Sequence, residues 1–361
     1  MKRILLFAAV AGAALAGCVK NESESGMIAS DSKISFEAPV VGTSTRAQAG
    51  EIGDKYPTEE DFKVWGWYHE GDYTSFNDRG NGWKNYMTEA DGKPITVSYD
   101  NVNSWAPATD YFWPKTGKLT FAAYSPADAA GTYTHTANGL QITGFTVATV
   151  GAQYDLMYSD RAYNRTSSTN QYGGTASNTY TGVDIVFHHA LSSIVFKAGT
   201  DDNYTTANNT FKIKSITIKN VANAGNFNEG LNDGNGSTTR TPAWAVTGTV
   251  DKEYVAFSGD FTVPADGSTR QEPTGAADLI LLPQSFETNN SAIVEIKYTY
   301  GTAASGEIQH TETFQLNHAT NVQAWEPNKR YTYNIIFGLD KIYFAPVVEA
   351  WDDVNVGNIE L

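Results

Sequence analysis

The dominant pattern along this chain is a two-residue alternation of apolar and polar positions, repeated in short runs. "KISFEAPV" sets Ile34, Phe36, Ala38 and Val40 against Lys33, Ser35 and Glu37. "KVWGWYHE" puts Trp65 and Trp67 on one face, and "KLTFAAYS" alternates Leu119, Phe121 and Ala123 with Thr120, Ala122 and Tyr124. "FKIKSITIKNV" places Phe211, Ile213 and Ser215 opposite lysines at 212 and 214. "VDIVFHHALSSIVFKAG", "DLILLPQSF", "AIVEIKYTY", "RYTYNIIFGL" and "KIYFAPVVEAW" continue the series. Turn clusters such as "NDRGNG", "EADGKP", "NEGLNDGNGST", "PADGST" and "YGTAASG" separate the runs. After the first residues, no stretch keeps an apolar 3.6-residue period across a dozen positions. Many short strands between turn signals predict an all-β chain of sandwiches or barrels, with no helix longer than about three turns.

The opening residues follow another pattern. Met1, Lys2 and Arg3 precede an apolar run from Ile4 to Ala16. This is the layout of a secretory signal, and the run is shorter than the roughly 20 residues a membrane-spanning helix needs. Leu15-Ala16-Gly17-Cys18 resembles a bacterial lipobox, and Cys18 is the only cysteine. The resemblance implies cleavage before Cys18 and acylation of its thiol and new amine. Several acyl chains hold a protein on a membrane far more firmly than one. Residues 1–17 are thus expected to be a lipoprotein signal, and 18–32 a lipidated cysteine with a polar tether. Glu22 and Glu24 resemble, weakly, the acidic surface-export signals of some Bacteroidales lipoproteins.

The formal charge is −15 and becomes two units more negative when Lys2 and Arg3 leave with the signal. Such a surface disfavours nucleic acid as a partner. The remaining length suggests two domains on a prior of roughly 150 residues each. The polar stretch from Arg161 to Thr181 lacks any apolar pattern. The expected division is 33–181 for an N-terminal sandwich and 182–361 for a C-terminal one.

Catalytic chemistry finds little support. The sequence holds no G-x-S-x-G or H-E-x-x-H, and its six histidines are scattered. His188 and His189, adjacent in a strand, point to opposite faces and cannot share a metal. One is expected in the core and the other exposed. Asn226 to Ser237 is rich in oxygen ligands but lacks calcium-loop spacing, so a hairpin loop is expected. Asp352-Asp353 reads as a solvated turn. No enzyme activity, cofactor or metal is expected. Eight tryptophans and twenty tyrosines could stack on sugars. Most are expected to fill sandwich cores, as Trp113-Pro114 and Trp325-Glu326-Pro327 suggest by their place beside strands.

An ordered series of segments resembles the fimbrillin family of Bacteroidales, the lipoprotein precursors of type V pili. It comprises the lipobox at Cys18, "ISFEAPVVGTSTRA" at 34–47, "VWGWY" at 64–68 and "YFWPKTGKLTFAAYSP" at 111–126. It continues with "DLMYSD" at 155–160, "VDIVFHHALSSIVFKA" at 183–198 and "WEPNKRYTYNIIFGLDKIYFAPVVEAW" at 325–351. The resemblance implies two transthyretin-like β-sandwich domains in tandem. It implies that the first strand is a placeholder: here Ile34 to Val41, with Ile34, Phe36, Ala38 and Val40 on its buried face. A trypsin-like or arginine-specific protease would cut between Arg46 and Ala47, and a strand from another subunit would fill the slot. Lys341 to Trp351 is the candidate donor, presenting Ile342, Phe344 and Val348, or else the last strand of its own domain. Pro346 predicts an edge position or a bulge there. The expected partners are other fimbrial subunits, the outer membrane through the lipid anchor, and a host or bacterial surface ligand. The alternative is a cell-surface glycan-binding lipoprotein, marked by an exposed row of tryptophans.

Overall fold

The computed structural model describes residues 29–37, 39–41, 56–72, 83–100, 104–167, 182–201, 210–232, 239–288, 291–302, 306–318, 322–338 and 342–351. Among these residues the regular structure is β-sheet, with one 3₁₀ turn at Leu316–His318. The architecture is a tandem β-sandwich, as the two-residue alternation predicts.

A nine-stranded sheet dominates the first half. Its path runs Val40–Val41, Val186–His189, Met157–Ser159, Lys118–Ser125, Phe62–His69, Ile95–Tyr99, Trp105–Pro107, and off this path Ala162–Arg165 pairs with Lys118–Ser125 and Lys84–Met87 with Phe62–His69. Phe62–His69 lies centrally and is buried on both faces. Phe62, Val64 and Tyr68 enter one apolar cluster with Ile34, Phe36, Trp105 and Phe121. Trp65 and Trp67 enter a second cluster that runs on through Phe196 and Ile216 to Phe337. Alternation along one strand thus feeds two separate cores.

The second sheet of this half is not built from its own residues alone. Thr132–Thr136 and Gly139–Thr146 pair with Ala224–Asn228 and Ala243–Val246, a hairpin that leaves the C-terminal half and returns. The C-terminal half adds two four-stranded sheets. One has the order Leu279–Leu281, Ser192–Thr200, Lys329–Phe337, Ile342–Ala350; the other runs Lys252–Thr262, Thr210–Val221, Ile293–Thr302, Gly306–Gln315. By pairing, residues 182–189 still belong to the first sheet, and sheet membership changes at Ala190–Leu191. The 181/182 division expected from composition therefore falls inside the first sheet's territory. The polar stretch that begins at Arg161 includes a strand of that same sheet, Ala162–Arg165, paired with Lys118–Ser125.

A buried ion network fastens the shared sheet. Glu229, 1% exposed, accepts from Leu140 N at 2.7 Å and from Arg240 Nε at 3.0 Å. Arg240 also reaches Asp160 at 2.5 Å, and Asp160 meets His188 Nε2 at 2.8 Å. Burial pushes the Glu229 carboxyl up, while the Leu140 N–H and the Arg240 guanidinium pull it back. Gly139 makes room for this carboxylate: a Cβ there would stand 2.1 Å from Glu229 Oε2.

Candidate functional site: the slot of the first segment

The first described segment lies between two neighbours and bonds to both. On one side Phe36 N donates to Trp105 O at 2.8 Å, Trp105 N to Phe36 O at 3.0 Å, and Ile34 N to Tyr111 O at 2.7 Å. On the other side Val183 N donates to Ser35 O at 2.8 Å and Glu37 N to Val183 O at 3.1 Å. Odd and even residues face opposite neighbours, as a regular strand requires. Farther upstream, Ala29–Lys33 pairs with Phe112–Pro114.

The side chains fill the same slot. Ile34 is 2% exposed and Phe36 fully buried. The Phe36 ring stands edge-on to Phe62 (5.8 Å, 88°) and Phe121 (5.6 Å, 86°). Such edge-to-face pairs add to the area they bury. Tyr56 closes the floor, edge-on to Trp105 at 5.1 Å and bonded to Ser125 Oγ at 2.7 Å. Burial pushes its phenol strongly up. Gly182 seals the wall against the segment's backbone.

The expected one-face set does not extend to Val40, which is exposed, whereas Pro39 is buried. The cause is an extra residue. Phe36 pairs with Val183 and Val40 with Val186, so the segment spends one residue more than its neighbour over that interval. A bulge shifts the alternation by one and turns Val40 outward. Ala38, Cys18, Arg46, Ala47, Asp352 and Asp353 lie outside the described residues.

The C-terminal strand Ile342–Ala350 lies on its own chain, antiparallel to Lys329–Phe337 without a break in register. Phe344 is held between Tyr333 (4.9 Å, 10°) and Phe314 (4.9 Å, 15°). Ile342 is half-buried, while Val347 and Val348 are exposed, so Val348 does not share the packing of Phe344. Pro346 takes the edge position and makes no bulge. Asp201 N donates to Phe337 O at 3.1 Å, so Phe337 directs its backbone toward the 192–200 strand. Tyr333 directs its backbone the same way, because direction alternates residue by residue. Pro346 stands opposite Tyr333. Its nitrogen therefore faces the open edge, where no ladder bond is lost.

Other candidates resolve into structure. His189 is buried, 2.6 Å from Asp155 and stacked on Trp351 at 4.0 Å and 6°. His188 is half-buried on Asp160 rather than exposed. The calcium-like stretch begins in the shared hairpin, where Asn226 accepts from Gly144 N and Asn228 from Gly230 N, and its residues 233–237 lie outside the described residues. None of the eight tryptophans is exposed. Trp244 and Trp351 are half-buried, the others buried. Trp325 donates to Tyr333 Oη at 2.9 Å. An exposed tryptophan row, the mark of the glycan-binding alternative, is therefore not formed.

Sequence reasoning missed Gly182, Val183 and Trp105 as slot walls, and the seat of Trp351 on His189. The aromatic ends of "NSW" and "EAW" were the available signals. Neither names a partner, because both partners come from distant sequence.

The fimbrillin-like family matches residues 45–351. The fold is similar to that of a fimbrial protein from Bacteroides vulgatus at 15% identity and a TM-score of 0.57, covering 88% of this chain and 99% of that one. Candidate cell adhesion proteins from Bacteroides uniformis (18% identity, TM-score 0.45, 88% and 99% covered) and Bacteroides ovatus (17%, 0.46, 90% and 98%) are more distant in shape. No curated protein matches the sequence.

Proposed function

The chain belongs to the fimbrillin-like family, and from that premise we propose that it is a structural subunit of a cell-surface fimbrium that supports adhesion. It is exported as a lipoprotein acylated at Cys18 and held at the outer membrane. A protease cuts after Arg46, and a strand of another subunit replaces residues 34–41 by strand addition.

The observation that carries this reading is the position of Phe36. Its backbone bonds to the Trp105 side, its neighbours Ser35 and Glu37 bond to Val183, and its ring is fully buried. A segment seated in this way leaves two strand edges and an apolar groove when it departs. Burial of Ile34 and Phe36 stabilises the seated form by roughly 1.5–3 kcal/mol each, an upper value given a compact unfolded chain. A cut after Arg46 breaks none of these contacts. Release is therefore slow until a competing strand offers equivalent ones.

Digestion of the purified precursor with a trypsin-like protease tests this. The expected product has Ala47 at its new N-terminus and enters larger species gradually in size-exclusion profiles, while Arg46→Ala stays monomeric. Equal polymerisation of Arg46→Ala and the parent would remove the arginine from the mechanism. In detergent phase partitioning, Cys18→Ala is expected to leave the detergent phase; retention there would remove the lipid anchor.

A further inference from the structure

One stretch of backbone serves both ends of the chain. Residues 183–187 form a wall of the first-segment slot: Val183 bonds to Ser35 and Glu37, Ile185 O accepts from Val40 N at 3.0 Å, and Val186 and Phe187 pair with Val40 and Val41. Two residues on, His189 carries the Trp351 ring at 4.0 Å and 6°. The backbone repeats the link. Asn328 N donates to Leu191 O at 3.1 Å, and Trp351 N donates to Asn328 O at 3.2 Å. The end of the C-terminal strand thus rests on the strand that walls the slot, by a ring stack and a two-step hydrogen-bond chain. His189 is fixed from behind by Asp155, and Ala190 by Trp244, whose Nε1 donates to Ala190 O at 2.6 Å.

We propose that residues 183–191 couple the first segment to the C-terminal strand, so that emptying the slot loosens the seat of Trp351 and frees Ile342–Ala350 from its own chain. With the first segment in place, the wall is bonded on both sides and His189 presents a fixed plane to Trp351. With the segment gone, Val183 to Phe187 lose their ladder partners on one side, and the strand that carries the His189 plane is held only by its pairing with Met157–Ser159 and by the Asp155 contact. The C-terminal strand is already an edge strand with Val347 and Val348 exposed, so Phe344 and Trp351 are its main side-chain anchors. The contact is autoinhibitory: a subunit keeps its C-terminal strand to itself until its first segment departs. That purpose rests on the strand-addition reading. The coupling itself is a property of the monomer, and it is reciprocal by linkage.

Amide hydrogen exchange on the full monomeric chain tests the coupling without any assembly step. Trp351→Ala is expected to speed exchange not only in 342–350 but also in 34–41, by about fivefold or more. Phe36→Leu, which keeps an apolar side chain in the slot, is expected to speed exchange in 342–350 to a similar degree. Exchange in Thr210–Val221, which pairs with neither segment, stays at the parent rate, and Trp351→Phe restores most of the protection. If each substitution speeds only its own segment, the coupling is overturned. If Thr210–Val221 accelerates equally, the effect is global loosening and the coupling is likewise overturned. A positive exchange result with an Arg46→Ala protein that still polymerises would keep the coupling and remove the proposed trigger.

Discussion

Gly182 packs face to face with the backbone of Phe36: a Cβ on Gly182 would stand 2.4 Å from the Phe36 carbonyl carbon and 2.5 Å from Glu37 N. Both obstacles are backbone, so no rotamer change relieves the clash. Gly182→Ala is expected to push the first segment out of register with Val183 and Trp105. The cost is about 1–3 kcal/mol, the range for overpacking a filled site. Denaturant midpoints measure the cost, and faster proteolysis around residues 34–41 locates it. An unchanged midpoint together with unchanged proteolysis would mean that the two backbones are not in this contact.

The Glu229–Arg240–Asp160 network predicts an asymmetry between its members. Arg240→Met leaves Glu229 buried with the Leu140 N–H and the field of Arg161 but without its ion-pair partner, and the expected loss is about 3–5 kcal/mol. Glu229→Gln keeps an acceptor for Leu140 N, and Arg240 still has Asp160 at 2.5 Å. Its expected cost is nearer 1 kcal/mol. Urea unfolding of the two variants checks the order. Equal losses would mean that the hairpin does not depend on neutralising Glu229.

How much of this was legible beforehand follows from the range of the forces involved. The strand alternation is local, so Ile34 and Phe36 kept the shared face it assigns them, as did Trp65 with Trp67, and all four are buried. Val40 did not, because a bulge is set by the neighbour's register, and that neighbour lies at Val183–Val186. The shared hairpin was equally hidden. Ala224–Asn228 and Ala243–Val246 look like any pair of short strands, and only their pairing with Gly139–Thr146 assigns them to the other half's sheet. Glu229 sits in the turn cluster "NEGLNDGNGST", and nothing in the sequence around it or Arg240 marks a buried ion pair. Their burial depends on the cavity that Gly139 provides from ninety residues away.

A pH dependence follows from Asp266. Its exposed carboxylate accepts from Ser268 N at 3.0 Å and Thr269 N at 2.7 Å, and from the Thr269 hydroxyl. The Thr269 side chain, and then these backbone donors, hold its pKa down to about 2 against an ordinary 3.8. The folded value lies below the unfolded one, so the unfolded chain binds more protons in between. The stability this loop contributes is complete above pH 3.8 and is lost as pH falls through about 2. Carboxyl-carbon NMR titration should place the Asp266 midpoint at about 2, well below the ordinary 3.8. Asp266→Asn should flatten the acid limb of the stability curve in that window. A midpoint near 3.8 would contradict the turn geometry.

Pro346 gives the last prediction. The open edge of Ile342–Ala350 is the outer border of its sheet, and a row of free N–H groups there would invite another strand. The alternation fixed by Asp201 and Phe337 turns the backbone of Phe344, Pro346 and Val348 outward, so proline removes the donor in the middle of that row. The ladder to Lys329–Phe337 loses nothing, which is why the register runs unbroken past the proline. Pro346→Thr restores the missing donor and adds a residue of higher strand propensity. It is expected to change unfolding stability by less than about 1 kcal/mol, because the inner ladder is untouched. It is also expected to promote association of the uncleaved precursor through this edge. Sedimentation velocity over a concentration series would show the variant forming dimers and larger species where the parent stays monomeric. If the variant instead stays monomeric and gains several kcal/mol, the proline nitrogen faces inward and the edge assignment fails.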